Sequence, residues 1–367
     1  MMTAPAMAAE RSKRGNGLPP LPGLYPGKVV AVEHPDSLVQ GVFQREPIHK
    51  MFETGLARLT GARNSEEAWK RFFRPSDVVG IKVVPNGAPW VCSSPQVVNE
   101  IIIGLNQAVG IPLANIIVYD RYKEELEAAG IPNWLPSGVR TAWGSDRYTE
   151  DQTVVAGADS AGVHHYYDPG QYFSVSLPGE RDSKSYASQF LSTGVTKIIN
   201  LACLKDHAAA GVTLCLKNLS HGLFNNVNRS HPVPNTYITQ FIPWAVLHEL
   251  VKTKVALNII DGIRGIYNGG PFSTGNGREK YLWEYKTLFF ATDAVAADSI
   301  VWRIIDQKRA SVGLPPTTAA GPNEFSGFVD PQPEYIEIAG QMGLGIWQPT
   351  KIAYDRYDAR TGRKIKT

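Results

Sequence analysis

The residues able to do chemistry crowd one stretch. Lys205, Asp206, His207, Thr213, Lys217, Asn218, His221 and His231 fall between positions 196 and 231. Three of the eight histidines and two of the three cysteines lie in the 29 residues from Cys203 to His231. If 211–223 is a helix, Thr213, Lys217 and His221 share one face at i, i+4 and i+8, and Val212, Leu216, Leu219 and Leu223 share another. An ammonium and an imidazolium one turn apart repel, so at least one is held nearer neutrality, which suits a base or a nucleophile. A lysine in an otherwise apolar helix is also a candidate for covalent attachment to a carbonyl or a cofactor. Lys217 and His207 are therefore the expected base and acid. His207, His221 and His231 could instead converge on a metal ion, although their gaps of 14 and 10 residues match no standard zinc spacing. The plainer alternative is a lysine stretched to the surface and a solvated histidine. His164 and His165, adjacent in an extended run, point to opposite sides, so at most one faces a given cleft.

These side chains need strands and helices to hold them. A strand-like run, 196–201, precedes a polar elbow at Lys205, Asp206 and His207. Buried-strand patterns also cover 28–33, 77–84, 115–119, 255–260 and 287–292, and helical spacing covers 47–60, 65–73, 94–109, 236–252, 293–306 and 333–343. Ser65 and Asp293 are the expected N-caps of their helices. Alternation of strand and helix predicts an α/β fold, mostly parallel sheets flanked by helices, in two lobes. The expected division is an extended N-terminal segment at 1–27, a first α/β lobe at 28–130, an irregular or antiparallel insertion at 131–190, and a second α/β lobe at 191–367 carrying the site. In open parallel sheets ligands bind beyond the carboxyl ends of the strands. Lys82 with Asn86, Asp120, the Lys205/His207 elbow, Asp261 and Asp293 all sit at such ends, which predicts one shared cleft. There Lys205 and Lys82 would hold a carboxylate or phosphate, Asn86, Thr213, Asn218 and Asp261 would line the substrate, and Asp120 or Asp261 would orient the histidine. Singly, each aspartate is equally readable as a turn or cap residue.

Composition narrows the partners. At 367 residues with 43% hydrophobic and 19% charged side chains, the chain can bury a large core. A net charge of +3, with no basic stripe among aromatics, argues against nucleic acid. No apolar run reaches the length of a membrane span. Cys92, Cys203 and Cys215 are too few for a disulfide framework; Cys203 and Cys215 could pair or stay as buried thiols. Ala6-Met7-Ala8 has the small-x-small spacing of a signal-cleavage region, the basis for expecting an exported, periplasmic protein.

Several blocks resemble, in order, those of the bacterial and archaeal domain of unknown function 362 family. They are VVGIKVVPNG ending at Gly87, IIVYDR at 116–121, IINLACLKDHAAAGVTLCLKNLSHG at 198–222, NIIDGIRGIYNGGP at 258–271 and TDAVAADSI at 292–300. The most specific is carried by Lys205, His207, Gly211, Val212, Thr213, Lys217 and Asn218. Ala202 and Asp206 stand where the family often has Pro and Thr. Its frequent four-cysteine region is missing, so no iron–sulfur cluster is expected. A fainter likeness is to the nickel-pincer lactate racemase family, whose histidine, cofactor-anchoring lysine and later histidine are loosely matched by His207, Lys217 and His231. Cys215-Leu216 replaces the Gly-Gly before that family's lysine. The residues and the resemblance together point to an enzyme acting on a small polar or carboxylate-bearing molecule. The expected reaction is a proton transfer of isomerase or redox type, with a divalent metal ion as the candidate cofactor. The alternative is an exported small-molecule or metal-binding protein without turnover.

Overall fold

A strand covered on both faces by helices has no solvent side, so its residues can be apolar throughout. The expected strand runs are mostly apolar, and the computed structural model, which describes residues 17–179, 182–321 and 324–366, gathers them in one large sheet. The strands of the large sheet are β1 (Lys28–Glu33), β2 (Val79–Lys82), β3 (Ile116–Tyr122), β4 (Arg140–Ser145), β5 (Ala156–Ala158), β6 (His164–Ser174), β7 (Lys184–Ser188), β8 (Lys197–His207), β9 (Gly211–Val212), β10 (Val255–Ile266), β11 (Leu282–Trp283), β12 (Thr287–Ala291), β13 (Ala353–Asp358) and β14 (Arg363–Ile365). Their order is β14-β13-β1-β12-β10-β8-β2-β3-β4-β6-β5, with β7, β9 and β11 pairing on β6, β8 and β10. Strands β10, β8, β2, β3 and β4 are parallel neighbours. β12 runs antiparallel between β1 and β10. The α/β expectation thus holds: a large mixed sheet, mostly parallel at its centre, with helices on both faces, and a separate hairpin of Leu38–Val39 with Val42–Phe43. Strands from 28–130 and 191–367 share this one sheet, and β4–β7, from 131–190, extend it at one edge.

Side chains alternate across the sheet, and two cores result. Ile198 and Ala202 of β8 pack into one, Ile199 and Leu201 into the other. The second core takes α1 (Arg45–Thr60), α2 (Ser65–Phe72) and α3 (Pro95–Ile103); the first takes α5 (Cys215–Leu223), α6 (Ile238–Leu247), α7 (Ala294–Ser311) and α8 (Tyr335–Gln341). A short α4 (Lys123–Ala128) follows β3. Among the described residues no helix is long and apolar enough to cross a membrane. Ala6-Met7-Ala8 lies outside the described residues.

Several expected boundaries move, each for a stated reason. The elbow at Lys205–His207 is strand: β8 continues to His207, and Gly211–Val212 folds back to pair with Asp206 and His207. The helix begins at Cys215, so Thr213 precedes it. β10 runs on past Asp261-Gly262, which resembled a turn. The helix expected over 236–252 divides at His248, whose ψ of 135° is extended. Asn64, not Ser65, caps α2, its side chain accepting from the Glu67 amide. Asp293 caps α7 as expected, accepting from the Ala296 amide at 2.9 Å. It lies at the end of antiparallel β12, however, and so cannot share a cleft with the ends of the parallel strands.

Candidate functional site

The site rests on a row of buried polar side chains that crosses the sheet under α5. Alternation on β8 turns Asn200 to the α5 side, opposite Lys82 of β2 and Asn258 of β10 in register. The Asn218 amide of α5 donates to Asn200 Oδ1 at 2.8 Å, Asn200 donates to Asn258 Oδ1 at 2.9 Å, and Asn258 donates to the Thr292 carbonyl at 3.0 Å. At the other end Lys82 Nζ donates to Asn218 Oδ1 at 2.7 Å, to the Val83 carbonyl at 2.6 Å, and to Asp120. A fully satisfied buried network fixes one arrangement, because each broken bond strands a polar group away from water. Two further contacts seat the helix. Asp298 of α7 accepts from the Cys215 and Leu216 amides at 2.8 and 2.9 Å, capping the start of α5. Gly222 lies so close to Lys82 that an added Cβ would come within 2.0 Å of its Cε.

With its Leu216, Leu219 and Leu223 face in the core, α5 turns Lys217 and His221 to a cleft of about 220 Å³ at the carboxyl ends of β2, β3 and β8. Thr213, Asn86, His231, Arg121 and Glu125 also line it. The electrostatics follow from burial among like charges. Desolvation, reinforced by the Arg121 and Lys205 cations, pulls Lys217 down to about 7. Burial, with Asp120 nearby, pushes Glu125 up to about 7. Desolvation and then Lys217 hold His207, His221 and His231 well below the usual histidine range, so all three are neutral at physiological pH.

Hydrogen bonds assign the imidazole protons. Ser230 Oγ donates its single proton to the Val227 carbonyl at 2.7 Å, so it accepts from His221 Nε2–H at 3.0 Å and from His231 Nδ1–H at 2.8 Å. His231 Nε2 is left as the unprotonated nitrogen, a base. His207 Nδ1 accepts from the Ala209 and Ala210 amides at 3.0 and 3.2 Å, which places its proton on Nε2. The ring centroids lie 5.6 Å apart for His207 and His231 and 4.8 Å apart for His221 and His231. The histidines expected to meet do gather, but their nitrogens do not converge: both of His221 face hydroxyls, from Ser220 at 2.9 Å and Ser230 at 3.0 Å. Among the described residues no three His, Cys, Asp or Glu side chains are placed to hold a metal ion.

Each expected site residue has a definite place. Lys217, His221, His231, Lys82, Asp120, Asn86, Thr213 and Asn218 line the one cleft. The ammonium of Lys82 has all three N–H bonds engaged within the protein, so it braces the floor and is not available to an anion. Lys205 Nζ donates to Asn86 Oδ1 at 2.7 Å and the Pro271 carbonyl at 3.1 Å, tying the two expected residues to each other behind the cleft wall. Asp206 accepts from the Gly269 and Gly270 amides at 3.0 and 2.8 Å, anchoring the segment that follows β10. His207 stands beside His231 and borders a second cavity of about 110 Å³ with Asp206 and Arg309. Neither Asp120 nor Asp261 orients a histidine: Asp120 pairs with Lys82, and Asp261 accepts from the Ser94 hydroxyl at 2.9 Å at the head of α3. His165 is buried against Asp159 at 3.2 Å and His164 is exposed, away from the cleft. All three cysteines are free thiols.

Two cleft residues escaped the sequence reading. The Arg121 side chain stacks over the Tyr122 ring at 4.3 Å and makes no hydrogen bond to any described residue; its Nη1 is fully enclosed without a partner. Glu125 reaches the same cleft from the first turn of α4. The signal for Arg121 was present, since it ends the IIVYDR block, but next to Asp120 it read as the close of a strand. The model of the family described as Domain of unknown function (DUF362) matches residues 80–303. No curated protein matches the chain. With more than half its length matched, the chain belongs to the DUF362 family.

Proposed function

We propose that this member of the DUF362 family is an enzyme that binds a small carboxylate-bearing substrate and transfers a proton at the carbon beside its carbonyl. The observation that carries this is the pairing of Lys217, an amine with no acceptor among the described residues, with the bare Nε2 of His231 in the same cleft as the unpaired Arg121 guanidinium. An unpaired buried guanidinium is costly alone and is relieved by a planar anion that takes two of its N–H bonds. A volume of about 220 Å³ lies below the roughly 300 Å³ at which drug-sized sites begin, which favours a small acid. Lys217 and His231 are the groups able to accept a proton, and Glu125, near 7, is able to return one.

The test is hydrogen–deuterium exchange at the carbon next to the carbonyl, followed by NMR for a panel of short 2-oxo and 2-hydroxy acids in heavy water. Exchange that needs the protein and is lost in Lys217→Ala and His231→Gln is the expected result. An acid retained through purification and never exchanged would make the protein a binding module instead.

A further inference from the structure

We infer that Lys217 is a covalent catalyst: its amine condenses with the carbonyl of a short 2-oxo acid to form an imine, while Arg121 holds the neighbouring carboxylate. This rests on the proposed reading of the cleft and names its substrate class. Three buried lysines surround this site, and they are not equivalent. Lys82 and Lys205 spend their N–H groups on protein oxygens, whereas Lys217 Nζ donates to none of the described residues and opens on the cleft. A nucleophilic amine must have its lone pair free, which an ammonium held by a carboxylate cannot. No carboxylate pairs with Lys217, and the surrounding Arg121 and Lys205 cations favour its neutral form. Arg121, on the strand end facing α5, supplies the planar fork that a carboxylate fits.

The step balances without an oxidant or a reductant. The Lys217 lone pair attacks the carbonyl carbon, a C–N bond forms, and the carbonyl oxygen takes a proton from Glu125. The nitrogen gives a proton to His231 Nε2, and the protonated His231 then returns that proton to the carbinolamine hydroxyl, which leaves as water as the nitrogen lone pair forms the C=N bond of a protonated imine. That cation withdraws electrons from the adjacent C–H bond, so the same intermediate accelerates the proton transfer proposed above.

The experiment is reductive trapping of the full-length wild-type protein with pyruvate and sodium cyanoborohydride at pH 7, followed by peptide mass spectrometry. The expected result is one peptide, containing Lys217, that gains the mass of the acid plus two hydrogens less one water. Acetaldehyde, which lacks the carboxylate, should modify Lys217 no faster than surface lysines. Arg121→Gln should raise the pyruvate concentration for half-trapping by about tenfold or more, the cost of one charge-assisted contact. Deuterium exchange without any trapping at Lys217 overturns the imine while leaving the proton-transfer reading intact. Absence of both overturns the two together. Trapping spread evenly over surface lysines also overturns it. Because the modified residue is read in the wild-type chain, the result does not depend on whether a variant folds.

Discussion

The path from the start of β8 to α5 carries a buried lysine at each end, and the two are opposites. At its start Lys197 donates to the Phe72 carbonyl at 2.7 Å and pairs with Asp77 at 2.9 Å. At its far end Lys217, also buried but open to the cleft, has no acceptor among the described residues. Burial alone therefore does not make a lysine reactive. At one end the protein has surrounded a charge with oxygens and made a strut. At the other it has surrounded an amine with cations and neutral imidazoles, and the charge is what it discourages.

The comparison can be broken by mutation, and the largest effect falls on a third lysine. Lys82→Met leaves Asp120 buried without its partner and strips an acceptor bond from Asn218; a loss of roughly 3–5 kcal/mol is expected in urea unfolding. Lys197→Met should cost less, roughly 2–3 kcal/mol, because Asp77 keeps the Arg74 amide at 2.8 Å and its side chain is 11% exposed. Gly222→Ala drives a methyl against Lys82, which three hydrogen bonds hold still, and about 1–3 kcal/mol of destabilisation follows by thermal or urea unfolding. Lys217→Met should be the mildest, within about 1 kcal/mol of wild type or more stable, while abolishing imine trapping. A large destabilisation there would erase the contrast with Lys197.

The pH dependence sharpens the same contrast. The folded value for Lys217 is about 7 against an ordinary 10.5, so between those limits the unfolded chain binds more protons than the native one. Stability contributed by this group therefore rises as pH increases from about 7 to 10.5, by at most about 1.4 kcal/mol per pH unit. The difference in unfolding free energy between wild type and Lys217→Met, measured across that window, should show this slope. A difference that is flat with pH means that the amine keeps its charge in the fold.

Much of this is legible in the sequence. Continuous apolar runs such as 116–119 mark the central strands, and the strand-end rule collects Lys82, Asp120 and Asn86 around one cleft. The failures share one cause. Lys205, Asp206, His207 and Asp261 looked like turn residues because single-sequence patterns treat polar side chains as solvent-seeking. Here Lys205, Asp206 and Asp261 lie inside strands, satisfied by groups distant in sequence: Asn86, the Gly269 and Gly270 amides and Ser94; His207 ends β8 and accepts from the nearby Ala209 and Ala210 amides. No local pattern encodes such partners. The same blindness applied to Arg121, whose significance is a missing partner, a property that exists only once the fold has closed around it.

The polar row beneath α5 has an arrow. Lysine can only donate and a backbone carbonyl can only accept, so Lys82 at one end and Thr292 at the other leave each intervening asparagine a single orientation. Every amide oxygen points back towards the lysine, and none can turn over without reversing the rest. The cleft thus stands on a floor of aligned dipoles whose direction is set before any ligand arrives. A reaction above it need not wait for, or work against, their rearrangement.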